Sequence, residues 1–158
     1  MGNHHELTSS LQLIPCFRDL EPFQIDRLQQ ISSLRYVQPG DILFQEGDPE
    51  DYLYFVLEGQ MAIEMTVPGE GKALMATAEP FDLIGWSSVT PIIRQRTASA
   101  RAVVNSCLLA VESNKLRQLC EEDHELGYIV MRHLANVIAA RLLVTRLQLL
   151  AQLSNPTR

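Results

Sequence analysis

The sequence predicts an α+β domain, mainly antiparallel β: an eight-stranded β-roll or jelly roll flanked by N-terminal helices and a long C-terminal helix. Three observations carry this. Between about residues 35 and 112 the chain reads as short apolar segments separated by glycine-containing turns, about eight strands in all. On either side of that region the apolar residues recur at helical spacing. The last helical stretch, His124–Leu153, contains no proline and stops before Asn155-Pro156.

Taken in order, residues 7–15 and 22–34 read as helices. Pro22 suits a first helical position, and Phe23, Leu28, Ile31 and Leu34 form an apolar stripe. Turns are expected at Pro39-Gly40, Glu46-Gly47-Asp48 and Glu58-Gly59, where glycine tolerates positive φ. Tyr52–Glu58 alternates Leu53, Phe55 and Leu57 with Tyr52, Tyr54 and Val56; with both sides apolar or aromatic, this strand is expected to be covered on both faces. Met61–Thr66 and Ala73–Ala78 flank a turn at Val67-Pro68-Gly69-Glu70-Gly71 as a hairpin does, and Ser99–Val104 and Cys107–Val111 complete the roll. Asn114–Glu121 is a short helix, and helices fill about 114–154, so that 1–158 makes a single domain. The final helix is apolar around most of its circumference, which requires burial on more than one face. One face covers the roll. The other calls for a partner, most simply the same helix of a second copy, giving a parallel homodimer through residues 128–153.

The 158 residues carry 46% hydrophobic residues and a net charge of −6, which fits an ordinary globular domain and argues against a basic nucleic-acid surface. The apolar runs are interrupted by Arg, Asn or Gln before reaching the ~18 residues of a membrane span, and MGNHHELTSS lacks the pattern of a secretory signal. A cytoplasmic setting without membrane attachment is therefore expected. Cys16, Cys107 and Cys120 are odd in number and widely spaced; they suit reduced thiols better than a zinc site or a four-cysteine cluster. The histidines His4, His5, His124 and His133 all lie outside the roll segment, which argues against a metal enzyme built inside it. The sequence shows no GxSxG, P-loop or HExxH motif and no nucleophile beside a base, so no enzyme and no cofactor is expected.

The stretch DLIGWSSVTPIIRQRTASARA, Asp82–Ala102, holds the candidate site. Gly85 and Arg96 stand eleven positions apart, with Ser87, Ser88 and Thr97 between and beside them. A glycine turn with hydroxyls, answered by one arginine, suits anion binding by amides and a guanidinium. Read without a ligand, Arg96 is a surface arginine paired with Glu79 or Asp82; as a ligand-site arginine it is expected to add little to the core, and Arg94 is a weaker second candidate.

This stretch resembles the phosphate-binding cassette of cyclic nucleotide-binding domains, the sensor modules of catabolite-activator and anaerobic-regulator transcription factors. That cassette runs Gly-Glu-Leu, a short loop, then Arg-Thr/Ser-Ala, and Gly85, Ser87, Ser88, Arg96, Thr97 and Ala98 fall on it without a gap. LFQEGDPEDYLYFVLEGQMAIEM resembles the front half of the same domain, so the likeness covers nearly the whole chain. The departure is Trp86, which replaces the glutamate that accepts the ribose 2′-hydroxyl in the family; an indole donates but cannot accept. Two outcomes stay open for it, stacking on a ligand's ring or filling the pocket. RLLVTR resembles the part of the C-terminal helix that touches the purine, which implies Arg141 and Thr145 as lid residues; in the other reading Thr145 faces a dimer seam and Arg141 pairs with an acidic residue of the roll. The resemblance thus implies a non-catalytic regulatory module that senses cAMP, cGMP or a similar anion and signals through a dimer helix. The alternative is a ligand-free interaction domain that keeps the fold. The family's transcription factors place a helix-turn-helix after the long helix, and with the sequence ending at Arg158 no direct DNA binding is expected.

Overall fold

The computed structural model describes residues 2–90, 92–93 and 95–154. Helix α1 (Gly2–Leu13), a 3-10 turn at Pro15–Phe17 and helix α2 (Pro22–Gln30) precede the strands β1 (Ser32–Val37), β2 (Ile42–Phe44), β3 (Tyr52–Glu58), β4 (Met61–Val67), β5 (Gly71–Ala78), β6 (Leu83–Ile84), β7 (Ser99–Ala102) and β8 (Ser106–Glu112). Helices α3 (Ser113–Glu122) and α4 (His124–Ser154) follow. All strand pairs are antiparallel and form two four-stranded sheets, ordered β1-β8-β3-β6 and β2-β7-β4-β5. This is the expected roll with flanking helices.

The β3 alternation has its physical consequence. Leu53 and Phe55 face a core shared with the helices, where Phe55 meets Phe17 edge-on at 5.3 Å between ring centroids. Tyr54 and Val56 face the opposite core, between the sheets, with Phe44, Met61, Ala100 and Leu108. One sheet is therefore covered on both sides, as a strand apolar on both faces requires.

The first helical region differs from expectation. Helix α2 ends at Gln30 and β1 begins at Ser32, because residues 32–37 find ladder partners in β8, Ser32 opposite Val111 through Val37 opposite Ser106. Leu34 consequently belongs to a strand rather than to the helical stripe, and Phe23 is exposed while Ile25 and Leu28 are buried. A capping box between Glu21 and Gln24, with Pro22 in the first turn, fixes the start of α2.

Helix α4 packs Leu126, Val130 and Leu134 on the roll, with Val137 and Ile138 partly buried against the same core. Beyond Arg141 the apolar side chains Leu142, Leu143, Val144, Leu147, Leu149, Leu150 and Leu153 are all exposed. By length and composition the helix is also apolar enough to cross a membrane, with a window hydropathy of 1.5. The core helix of a globular protein meets the same criterion, so this does not overturn the expectation drawn from the interrupted apolar runs.

Candidate functional site

The cassette is assembled by main-chain bonds that bring two distant loops together. Gly47 N donates to Arg96 O at 2.8 Å, Arg96 N donates to Asp48 O at 2.8 Å, and Pro49 bridges Gln95. Arg96 is held at both ends of its peptide unit before its side chain does anything. The guanidinium then turns inward: it is 4% exposed, its Nη2 donates to Tyr52 O at 2.6 Å, and its Nη1 makes a long contact of 3.4 Å with Gly85 O. Its carbon lies 4.3 Å above the Phe44 ring. Arg96 Nε has no hydrogen-bond partner although it is buried. Desolvation pulls its pKa below the usual arginine range, opposed by Tyr54, Glu50, Asp51 and Asp48.

Arg96 is thus interior, and it pairs with neither of the carboxylates suggested by the sequence. Asp82 instead caps the Glu79 amide at 2.9 Å, and Glu79 accepts from Gln60 Nε2 at 2.5 Å. The expectation that Arg96 adds little to the core is corrected with it: a stacked, hydrogen-bonded guanidinium is part of the packing.

Gly85 adopts φ +74°, and a Cβ there would lie 2.4 Å from Arg96 Nη1. The turn Trp86–Val89 that follows places Ser87 and Ser88 in the interior. Ser87 Oγ donates to Glu50 Oε1, and Ser88 Oγ accepts from Ser113 Oγ at 2.6 Å. The Ser87 hydroxyl proton is therefore committed to Glu50, whereas Ser88, an acceptor here, keeps its own proton to donate. Trp86 is half-buried and packs against the helix-side core while also reaching the cassette cavity.

From the other side comes Arg141 of α4, whose Nη2 donates to Leu83 O. Burial depresses its pKa, with Asp82 acting against the shift. Arg96 and Arg141, one from the roll and one from the long helix, line the same cavity of about 60 Å³ together with Gly85, Trp86, Ser87, Thr97 and Ala98. Thr145, one turn beyond Arg141, is exposed and does not line this cavity. Arg94 lies outside the described residues. The residue that sequence reasoning missed is Glu50, which carries no motif and reaches Ser87 only through the loop pairing described above.

Two larger hollows lie elsewhere. One of about 570 Å³ opens on the other side of the Arg96–Thr97 segment, against Gly47, Pro49, Ile93, Gln95, Arg96 and Thr97. The other, about 660 Å³, is a groove between α3 and α4 lined by Arg117, Cys120, His124 and Tyr128. The buried Arg96 and the half-buried Arg141, converging there, favour the small cavity as the chemical site over either larger depression.

The fold, the cassette spacing and the inward arginine define a class. The family of cyclic nucleotide-binding domains matches residues 34–123. The chain belongs to that family. It is 27% identical, over 75% of its length, to a CRP-like cAMP-activated global transcriptional regulator of Mycobacterium tuberculosis, covering 53% of that protein. It is also 27% identical over 89% of its length to glutaminase 1 of Bradyrhizobium diazoefficiens, of which it covers 22%. The chain thus spans about half or less of the curated relatives it matches. Among solved structures, the N-terminal domain of a transcriptional regulator from Streptomyces coelicolor aligns with TM-score 0.65 and 32% identity, over 86% of this chain and 94% of that one. A cyclic nucleotide-binding domain from Methylobacillus flagellatus aligns with TM-score 0.77 over 94% of this chain and 83% of that one; at 23% identity it speaks for the fold.

Proposed function

We propose that this regulatory domain senses an anionic ligand held between Arg96 and Arg141, binds rather than transforms it, and reports occupancy through α4 of a homodimer. The observation that carries this reading is the convergence of a buried guanidinium, Arg96, and a half-buried one, Arg141, on one cavity, with Arg96 Nε unpartnered. Two guanidiniums held close together and partly out of water are costly, and a phosphate or sulfate group offers the oxygens that offset that cost. The cavity of about 60 Å³ suits one such group. A whole cyclic nucleotide needs a pocket nearer the ~300 Å³ lower end for small-molecule sites. Admission of cAMP or cGMP therefore requires Arg141 to leave the Leu83 carbonyl and Trp86 to move, and the first of these motions shifts α4 directly. Binding and signalling become one event.

The second reading, a ligand-free interaction module, has its own support: both terminal nitrogens of Arg96 already bond to backbone carbonyls, and Trp86 packs on the core. Thermal unfolding at pH 6 separates the two. Sulfate or phosphate should raise Tm beyond chloride at matched ionic strength, by mass action on the folded state, and Arg96→Gln and Arg141→Gln should each remove the increment. A wild type with no anion-specific rise refutes sensing and leaves the interaction module.

A further inference from the structure

Glu50 lies behind the cassette, and no sequence motif marks it. The paired loops, with Gly47 N bonded to Arg96 O, Arg96 N to Asp48 O and Pro49 bridging Gln95, deliver it there. One carboxylate oxygen, Oε1, accepts from Ser87 Oγ. The other, Oε2, is buried and has no hydrogen-bond partner. On the cavity side the matching deficiency is Arg96 Nε, a buried donor without an acceptor. The site therefore carries an unsatisfied acceptor and an unsatisfied donor belonging to opposite charges.

We propose that Glu50 is the internal counter-charge of Arg96, and that an anion binding between Arg96 and Arg141 displaces this role, so that binding is accompanied by uptake of a solvent proton on Glu50 Oε2. The proposal rests on the anion-site reading given above and names its regulation. An ionised Glu50 offsets the Arg96 charge and repels an incoming anion; a neutral Glu50 does neither. Burial already pushes the Glu50 carboxyl above its usual range, with the Ser87 hydrogen bond and the Arg96 charge acting in the opposite direction. An arriving sulfate or phosphate consumes the Arg96 contribution and adds a like charge, so it raises that carboxyl further. By linkage the anion then binds more tightly as pH falls. The groups facing Glu50 are Ser87 from the cassette turn and Arg96; Arg96 in turn feels Tyr54, Asp51 and Asp48. Glu50 acts here as a positioning residue, through Arg96 and Ser87.

The test is a sulfate titration of the full chain by calorimetry between pH 5 and pH 8, where sulfate keeps its charge. Wild-type affinity should weaken on the order of tenfold across this range, the equivalent of about one pH unit of linked shift. Glu50→Gln keeps an acceptor for Ser87 and removes the charge. It should bind with little pH dependence and, at pH 8, on the order of tenfold more tightly than wild type. Circular dichroism establishes that the variant is folded. A Glu50→Gln protein that retains the wild-type slope, or binds no tighter at pH 8, overturns the role of Glu50 while sulfate binding lost in Arg96→Gln keeps the anion site. Absence of sulfate binding in both wild type and Glu50→Gln at every pH overturns the anion site and the proton linkage together.

Discussion

Replacing Gly85 by alanine probes the cassette at its tightest point. The residue sits at φ +74°, where an L side chain costs roughly 1–2 kcal/mol. The added Cβ would meet Arg96 Nη1 at 2.4 Å and Tyr52 O at 3.1 Å. The first contact forces the guanidinium to move, and the second is with backbone that cannot readily yield. Arg96 would then lose or lengthen its 2.6 Å bond to the Tyr52 carbonyl, a charge-assisted interaction of about 1.5–3 kcal/mol. Together the effects predict a loss of about 2–4 kcal/mol, allowing for partial relaxation. For a chain of this size that is a Tm decrease of roughly 5–15 °C. Gly40→Ala supplies the control: its φ is +91° and no atom lies within 4 Å of the would-be Cβ, so only the backbone cost remains. Urea unfolding of both variants measures the difference, expected to be at least about 1 kcal/mol. Equal losses at the two glycines would refute the claim that Gly85 is small because Arg96 passes over it. In an Arg96→Gln background the excess at Gly85 should shrink, since the two changes share one contact.

The remaining predictions concern acid, ligand and assembly. Arg101 holds the Glu64 carboxyl below its usual range, and bonds from Gln24 and the Leu126 amide do the same for Asp123. A depressed folded-state pKa contributes stability above the unfolded value near 4 and loses it as pH falls through the folded value, so urea midpoints should drop below about pH 4, less steeply in Glu64→Gln. Cyclic nucleotides, if admitted, should bind without strong preference over their 2′-deoxy analogues, because Trp86 offers the ribose no acceptor; calorimetry with paired analogues measures this. In sedimentation the chain should be dimeric at micromolar concentration, and Leu142→Glu with Leu149→Glu should give a folded monomer, since both leucines are exposed, at 49% and 55%.

Where local chemistry sets the structure, the sequence was informative. The β3 alternation named both cores, the glycine-rich turns marked the strand ends, and the Gly85–Arg96 spacing foretold that these residues meet. Legibility failed where a long-range contact overrides a local signal. Residues 31–34 continue a helical spacing, but pairing with β8 makes most of them strand; ladder bonds and burial outweigh a propensity difference of a few tenths of a kcal/mol per residue. Arg96 was expected on a bound anion or, failing that, at the surface beside Glu79 or Asp82, and its acceptors in the structure are backbone carbonyls, which no side-chain pattern encodes. Glu50 was invisible for the same reason: it meets Ser87 across 37 positions because the loops around Asp48 and Arg96 pair through their main chains.

Helix α4 shows why the site and the assembly are one physical problem. Its first half is buried against the rest of the domain through Leu126, Val130 and Leu134, whereas the apolar side chains described beyond Arg141 are exposed. A helical segment of that length is marginal on its own, since most helical stability in proteins comes from packing one face. In the proposed homodimer a second copy would cover this half, and that surface would feel any rotation of the helix. Arg141 stands at the junction of the two halves and fastens the helix to the Leu83 carbonyl, immediately before the cassette glycine. An anion that draws the Arg141 guanidinium from that carbonyl changes a polar anchor between the two halves. The same displacement moves the leucines that follow it, because a continuous helix transmits rotation over its length with little loss. In the proposed dimer, ligand chemistry at the cassette and the geometry of the α4 interface would be coupled through this side chain.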